Sequence, residues 1–398
     1  CMEFLSKISI INLVIHKYIC CIGGKKMKKK VLATLLATCM VAGLAACGGS
    51  SDTATTTDDA ASTTTTDDAA STEAATSSSS NGGTITVGFS QVGAESDWRT
   101  ANTESMKSTF SEENGYELIF DDAQQKQENQ ITAIRNFIQQ EVDYIVLAPV
   151  TETGWDTVLQ EAKDAGIPVI IVDRMVDVSD DSLYTAWVGS NFKLEGQKAG
   201  EWINQFLQAK GIDNANIVDI QGTIGASAQI GRTEGLEEAC EANDNMTLLA
   251  ETTGEFTQAK GQEVMESFLK QYDNINIVYC ENDNEAFGAI DAIEAAGKTV
   301  GSDIANGEIM VMSFDAVQAG VQDVLDGKIQ IATECNPLHG PRVQEIIEKL
   351  EAGEDVDKIA YVDEGMYAHD DTVTKVTVDG TDYDVTVVDQ SVLDGRAY

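Results

Sequence analysis

Five apolar runs in this 398-residue chain each end in a group of hydrogen-bonding side chains. Run 84–89 leads into Ser90-Gln91-Val92-Gly93-Ala94-Glu95-Ser96-Asp97-Trp98-Arg99, and run 168–172 into Asp173-Arg174. Run 217–220 leads into Gln221-Gly222-Thr223 with Arg232 beyond, run 275–280 into Glu281-Asn282-Asp283-Asn284, and run 308–313 into Phe314-Asp315. Asp, Asn and Arg are planar and multidentate, so they suit a group that both donates and accepts, which is what a hydroxyl does. Trp98 and Phe256 offer apolar faces for a ring to lie on. Two arginines set against two aspartates neutralise one another while keeping spare hydrogen-bonding capacity, so a buried site of this kind holds little net charge. A neutral, polyhydroxylated ring, that is a sugar, fits all three properties.

Catalytic readings have less support. Neither G-x-S-x-G nor H-E-x-x-H occurs. Glu95 and Asp173 form a conceivable acid/base pair, yet an arginine beside each works against the raised carboxyl pKa that a general acid needs. Gly222-Thr223-Ile224-Gly225 before a helix resembles a phosphate cradle, but the lysine of a P-loop is missing. His339 and His369 are isolated, so no metal site and no cofactor are expected. A net charge of −40 excludes nucleic acid as a partner, since phosphates would be repelled.

The elements that carry these strand ends alternate apolar runs with amphipathic segments, the pattern of parallel sheets built from βαβ units. Strands are predicted over 84–89, 116–120, 144–148 and 168–172, with helices over 102–114, 128–140 and 155–165. The rhythm then restarts: helices over 194–208, 232–243, 260–271 and 285–296, and strands over 217–220, 246–251, 275–280, 308–313 and 329–333, followed by a helix over 341–350. The strands are almost continuously apolar, as when both sheet faces are covered. The fold class is therefore α/β: two doubly wound parallel-sheet lobes joined by a multi-strand hinge, with residues 84–188 plus about 335–360 in the first and 189–334 plus about 361–398 in the second. In such sheets ligands sit beyond the carboxyl ends of the strands, and between lobes the cleft is the natural site. Trp155, Trp187 and Trp202 are expected in the core. The alternating stretch 373–388 reads as a hairpin with Asp379-Gly380 at its turn.

The first 83 residues carry a different message. Met27-Lys28-Lys29-Lys30, an apolar run over 31–44 and Leu44-Ala45-Ala46-Cys47 form an export signal of the lipoprotein kind over 27–46. The run is about 14 residues, short of the roughly 20 that span a bilayer, so cleavage before a lipid-bearing Cys47 is expected. Residues 1–26, opening on Cys1, fit no export logic and read as upstream sequence. Residues 47–83 repeat TTTDDAAST at 55–63 and 64–72 and have almost nothing to bury, which describes a flexible tether. Besides Cys47, three cysteines follow the signal, Cys240, Cys280 and Cys335, so no disulfide framework is implied. Cys280 reads as a small buried hydrophobe.

TVGFSQVGAESDWR (86–99), DDAQQKQENQ (121–130), APVTETGWDTVLQEAKDAGIPVIIVDR (148–174), IQGTIGAS (220–227) and KGQEVMESF (260–268) give the chain its likeness. Over roughly 84–350 it resembles the type I, ribose-binding class of periplasmic binding proteins that serve ABC sugar importers, and within it the galactofuranose-binding branch. The resemblance implies a monomer that binds a monosaccharide and delivers it to permease subunits, anchored outside the cytoplasm by lipid on Cys47. It further implies Glu95, Trp98, Arg99, Asp173 and Arg174 as first-lobe sugar contacts and Arg232, Asn282 and Asp315 in the second; Gln91, in the polar stretch after the first strand, and Phe256, as a stacking face, are candidate contacts by their own residue types. Glu334 falls near a hinge position where relatives present a polar contact. Asp97, where relatives tend to be small, and Glu281, where histidine is common, depart from the pattern. Whether the ligand is a furanose or a pyranose stays open. So does a sensory role, with ligand presented to a receptor kinase, and, further off, a lipid-anchored hydrolase.

Overall fold

The computed structural model describes residues 83–398, so the export signal, Cys47 and the tether lie outside the described residues. The described chain opens with β1 (Ile85–Gln91), α1 (Asp97–Thr109), β2 (Tyr116–Asp122), α2 (Gln127–Gln139), β3 (Tyr144–Leu147), α3 (Asp156–Asp164), β4 (Val169–Val172) and β5 (Ala186–Gly189). It then crosses to a second lobe: α4 (Phe192–Lys210), β6 (Ala215–Gln221), α5 (Ser227–Ala242), β7 (Met246–Thr253), α6 (Gln258–Gln271), β8 (Ile277–Cys280), α7 (Asp283–Ala295), β9 (Met310–Asp315), α8 (Gln318–Leu325) and β10 (Ile331–Glu334). A second crossing returns it to the first lobe for α9 (Gly340–Glu351) and β11 (Ile359–Tyr361). The third leads back to β12 (Met366–Ala368), β13 (Lys375–Val378), β14 (Thr381–Asp384), β15 (Thr386–Val387) and α10 (Gln390–Asp394).

Two sheets result. The first runs β11-β5-β4-β3-β1-β2 and is parallel throughout. The second runs β15-β12-β10-β9-β8-β6-β7, parallel except that β12 meets β10 antiparallel. Both faces of each sheet are covered, which is why the strands alternate so little. In the first lobe Ile134, Phe137, Trp155 and Leu159 pack one face, and Met106, Phe110, Val343 and Ile347 the other. In the second, Met265, Phe268, Ile290 and Ile293 cover one face, while Trp202, Phe206 and Leu236 cover the other. All three core tryptophans predicted from the sequence are buried, as is Cys280.

The tail hairpin is β13 and β14, antiparallel, with Asp379 (φ 50°) and Gly380 (φ 78°) both left-handed at its turn. That is the geometry a two-residue turn needs to match strand twist. Val376 and Val385 from this hairpin join the core beneath α4.

Several boundaries differ from expectation. The predicted 102–114 helix begins five residues earlier, at Asp97, because Ser96 caps it: its hydroxyl accepts from the Arg99 N–H at 3.1 Å. It stops at Thr109, and Glu112–Asn114 form a separate 3-10 turn closed by Gly115 at φ 87°. The 232–243 helix begins at Ser227, and the 285–296 helix at Asp283. Strands β5, β11, β12 and β15 and helices α8 and α10 were not foreseen; each has eight residues or fewer, too short for a periodicity to emerge.

Candidate functional site

A cavity with an empty volume of ≈ 280 Å³ lies between the lobes, at the carboxyl ends of the strands. The first lobe contributes Glu95, Ser96, Trp98 and Arg99 from the capped start of α1 and Asp173 and Arg174 from the end of β4. Phe192, Ala228, Arg232, Phe256, Asn282, Asp315 and Cys335 complete the wall.

Extending α1 back to Asp97 is what aims this cluster. Glu95, Trp98 and Arg99 fall within one turn, and Arg99 reaches back to Glu95, Nε to Oε1 at 3.0 Å. Arg99 Nη2 also grips Asp173 Oδ2 at 2.8 Å, and Arg174 Nη2 lies 3.5 Å from Glu95 Oε1. Asp173 sits in left-handed backbone, φ 61°, held by its N–H on the Val188 carbonyl and by Trp187 Nε1 donating to its own carbonyl at 3.0 Å. Burial alone would push the Asp173 carboxyl up, but Arg99 and Arg174 hold it below its ordinary value. Burial and the neighbouring Arg99 charge bring Arg174 down to about 10, partly offset by Glu95 and Asp173. Two guanidinium groups thus face two carboxyl groups, and Glu95 Oε2 has no protein partner. Two cations and two anions in a desolvated cage suit hydroxyls rather than a ligand carrying charge.

The second lobe mirrors this economy. Arg232 donates from Nε to Glu195 Oε2 at 2.8 Å and from Nη1 to the Glu281 carbonyl, and it lies 3.5 Å from Asp315 Oδ1. Asn282 caps α7, accepting from the Glu285 N–H at 2.8 Å, while its amide donates to the Phe256 carbonyl at 3.1 Å. Asn282 is thus a helix cap and a cavity wall together. Phe256 itself sits at φ 59° and presents its ring to the Arg174 guanidinium at 5.0 Å, across the cleft. Gly222 is required here: a Cβ at that position would fall inside the Phe256 ring.

The lobes touch around the cavity mouth. The Asp97 N–H donates to Asn284 Oδ1 at 3.0 Å, the Met175 N–H to Ser227 Oγ at 2.8 Å, and the Glu152 N–H to the Gly225 carbonyl at 2.9 Å. The cleft is therefore closed.

This geometry can be set beside known proteins. Residues 87–338 match the model of a periplasmic binding protein domain, well over half of the chain. The chain belongs to the periplasmic binding protein family. The galactofuranose-binding protein of Escherichia coli (strain K12) is 42% identical over 290 residues, 72% of this chain and 88% of that one. A Mycobacterium smegmatis protein solved in complex with β-D-fucofuranose is similar at 45% identity and a TM-score of 0.68, covering 72% of this chain and 92% of that one. The binding component of an arabinose ABC transporter from Shewanella sp. ANA-3, bound to α- and β-L-arabinofuranose, is similar at 42% identity and a TM-score of 0.67, over 72% and 93%.

In this periplasmic binding protein nine sequence-selected residues meet at one cavity: Glu95, Trp98, Arg99, Asp173, Arg174, Arg232, Phe256, Asn282 and Asp315. Two others do not line it. Gln91 lies one layer beneath, because β1 runs on to include it; its Oε1 faces Arg99 Nη1 at 3.3 Å and its amide donates to Asn102 at 2.8 Å. Glu334 turns away from the cavity and is taken by Arg396, Tyr398 and the Gly365 N–H. Ser96, Phe192, Ala228 and Cys335 line the cavity but were not selected. Phe192 follows β5, an unforeseen strand whose end was not inspected, and Cys335 follows Glu334 at the end of β10.

Other readings of the site find no footing in its geometry. The Gly222 and Gly225 N–H groups donate to Glu281 and Gln229, so the phosphate cradle is already filled. Glu281 is buried and pushed up to about 8 by that burial; it anchors the 222 loop and does not line the cavity. Among the described residues, Glu195, Cys335 and Glu364 bring metal-ligand atom types within 4.8 Å of one another. Arg232 already holds Glu195, and Ser190 and Asn336 hold Glu364, so that group is organised as a hydrogen-bonded hinge.

Proposed function

We propose that this chain is the extracytoplasmic sugar-binding component of an ABC importer, that it takes a monosaccharide in its furanose form, and that lipid on Cys47 tethers it to the membrane. The observation that carries the reading is the pairing of two polar half-sites, Arg99-Asp173-Arg174 and Arg232-Asn282-Asp315, across one small void with Trp98, Phe192 and Phe256 as apolar walls. The furanose ligands of the M. smegmatis and Shewanella proteins support the ring size.

Closure follows from differential contact. A sugar seated on the first lobe gains hydrogen bonds from Arg232, Asn282 and Asp315 only when the second lobe arrives, so binding biases the hinge toward the closed form. The closed form then presents the adjoining lobe surfaces that a permease distinguishes from the empty protein. With both candidate carboxylates, Glu95 and Asp173, held by arginine, the sugar is expected to leave chemically unchanged.

A thermal-shift screen of the protein against D-galactose, L-arabinose, D-fucose, D-ribose and myo-inositol tests this. A ligand at about 100 times its Kd adds about 2.7 kcal/mol and raises the midpoint by a few degrees. One sugar standing out, and recovered unaltered, supports the reading; a silent panel on a folded protein overturns it. Cys47→Ser, which should shift the protein from the membrane to the soluble fraction, tests the anchor.

A further inference from the structure

The segment following β15 returns to the hinge. After α10, Arg396 lies between the rings of Tyr367 and Tyr398, its Cζ 4.9 Å and 4.4 Å from their centroids. Its Nη1 donates to Glu334 Oε1 at 2.9 Å and faces Tyr367 Oη at 2.9 Å, while Nη2 donates to the Ala316 carbonyl at 2.6 Å. Tyr398 Oη donates to the same Glu334 oxygen at 2.6 Å, and the Tyr398 carbonyl accepts from the Gln318 N–H at 2.6 Å. The second Glu334 oxygen accepts from the Gly365 N–H at 2.9 Å and from Tyr367 Oη at 3.2 Å. One ion pair, with 8% and 10% of its side chains exposed, thus ties the ends of β9 and β10 to the third crossing.

None of these groups lines the cavity, but their chain neighbours do. Ala316 follows Asp315, and Glu334 precedes Cys335. The Cys335 N–H donates to the Asp315 carbonyl, and the Cys335 carbonyl accepts from Trp98 Nε1 at 2.6 Å, reaching into the first lobe. Tyr398 packs against the cluster formed by Trp98, Phe192, Phe256 and Cys335. Asp315 and Ala316 both occupy left-handed backbone, φ 91° and 55°. Such conformations persist only where the surroundings over-determine them, and Arg396 is the side chain that fastens the Ala316 carbonyl.

We infer that Arg396 and Tyr398 are positioning residues of the binding site, holding Asp315 and the Cys335 carbonyl at the spacing the closed cavity requires. The inference rests on the sugar-binding reading for its ligand, but not for its geometry. Burial would raise Glu334, yet Tyr398, the Gly365 N–H and Arg396 together keep its carboxyl below the ordinary value, so the clasp is ionised across the physiological range.

Arg396→Ala, Arg396→Lys and Tyr398→Phe test it with two readouts. The first is the Kd for D-galactose and L-arabinose, both of which equilibrate with furanose forms in water, together with the tryptophan fluorescence change on binding. The second needs no ligand: the rate at which iodoacetamide labels Cys335, read by peptide mass against Cys280 in the same molecule. Arg396→Ala should weaken binding at least tenfold, diminish the fluorescence change and label Cys335 at least tenfold faster with Cys280 unaltered. Arg396→Lys should fail to restore either, since an ammonium cannot reach Glu334 and the Ala316 carbonyl together, and Tyr398→Phe should show a smaller effect of the same sign. Unchanged Cys335 labelling in Arg396→Ala overturns the inference, as does unchanged affinity alongside faster labelling. If the unsubstituted protein binds neither sugar nor any other member of the thermal-shift panel, the sugar reading fails separately, and labelling still decides whether Arg396 holds the wall.

Discussion

Asp97 and Asn284 grip each other across the cleft, the Asp97 N–H donating to Asn284 Oδ1 at 3.0 Å and the Asn284 amide to Asp97 Oδ2 at 3.4 Å. Each stands in the first turn of a helix, α1 in one lobe and α7 in the other, so the pair exists only when the lobes are closed. Asn284→Ala should raise the ligand off-rate about three- to tenfold with little change in on-rate, as expected for one net hydrogen bond of about 0.5–1.5 kcal/mol. Stopped-flow fluorescence reads both constants, and an unaltered off-rate would show that the latch is incidental to closure.

Arg174 bears on both lobes at once, through Glu95 and through the Phe256 ring. Its removal leaves Glu95 and Asp173 sharing a single buried cation, Arg99, and takes away a charge-assisted contact of about 1.5–3 kcal/mol. Arg174→Ala is therefore expected to cut sugar affinity by more than tenfold by calorimetry while circular dichroism shows a folded protein. Wild-type affinity in that variant would remove the quartet from the site.

Gly222 should be sensitive for both binding and stability. The Cβ of Gly222→Ala displaces the Phe256 ring, which forms cavity wall, whereas the surrounding strands β6 and β7 remain paired. The expected outcome is an affinity loss of at least tenfold with a change in unfolding free energy of about 1–3 kcal/mol, in the range of overpacked sites. Equal binding by the alanine variant would mean that the ring is not part of the contact surface.

His339 should give the protein an acid-side weakness. It is fully buried, and burial brings its pKa from 6.5 down to about 4, with Asp173 opposing and Arg342 and Arg99 reinforcing the fall. Its Nδ1 lies 2.9 Å from the Asn102 amide, which donates to it in the neutral form. Between these two values the unfolded chain binds the proton and the folded one does not, so stability falls as pH drops from 6.5 toward 4, by about 3 kcal/mol in all. Denaturant titrations of His339→Gln across that window should show a shallower pH dependence; an identical slope would place the acid sensitivity elsewhere.

Much of the site was legible because strand ends announce themselves locally. A short apolar run followed by Asp173-Arg174 or by Asn282 carries both its element and its chemistry within about ten residues, and the parallel-sheet rule then says where those ends point. What escaped was encoded at a distance. Asn284 lies 187 residues from Asp97, and Arg396 lies 62 from Glu334, separations that no periodicity reports. Glu334 was read as a ligand contact because the resemblance puts it near a hinge position where relatives present a polar group; its partners arrive from the far end of the chain. Phe192 was lost through β5, four residues whose strand character comes from β4 and β11 on either side. Asp97 and Glu281, which were expected to depart from the family pattern, serve the latch and the 222 loop respectively.

The three crossings carry an implication for biosynthesis. Helix α9 and strand β11 belong to the first lobe but are encoded after residue 339, and Val343 and Ile347 complete a core begun by Val87 and Phe89. As the polypeptide emerges, its first lobe is missing one helix and an edge strand until about nine-tenths of the chain is out, and the second lobe waits longer still for β12 to α10. Contacts this remote in sequence fold slowly. Because the chain passes between the lobes three times, no single cut in it divides the described residues into two whole lobes.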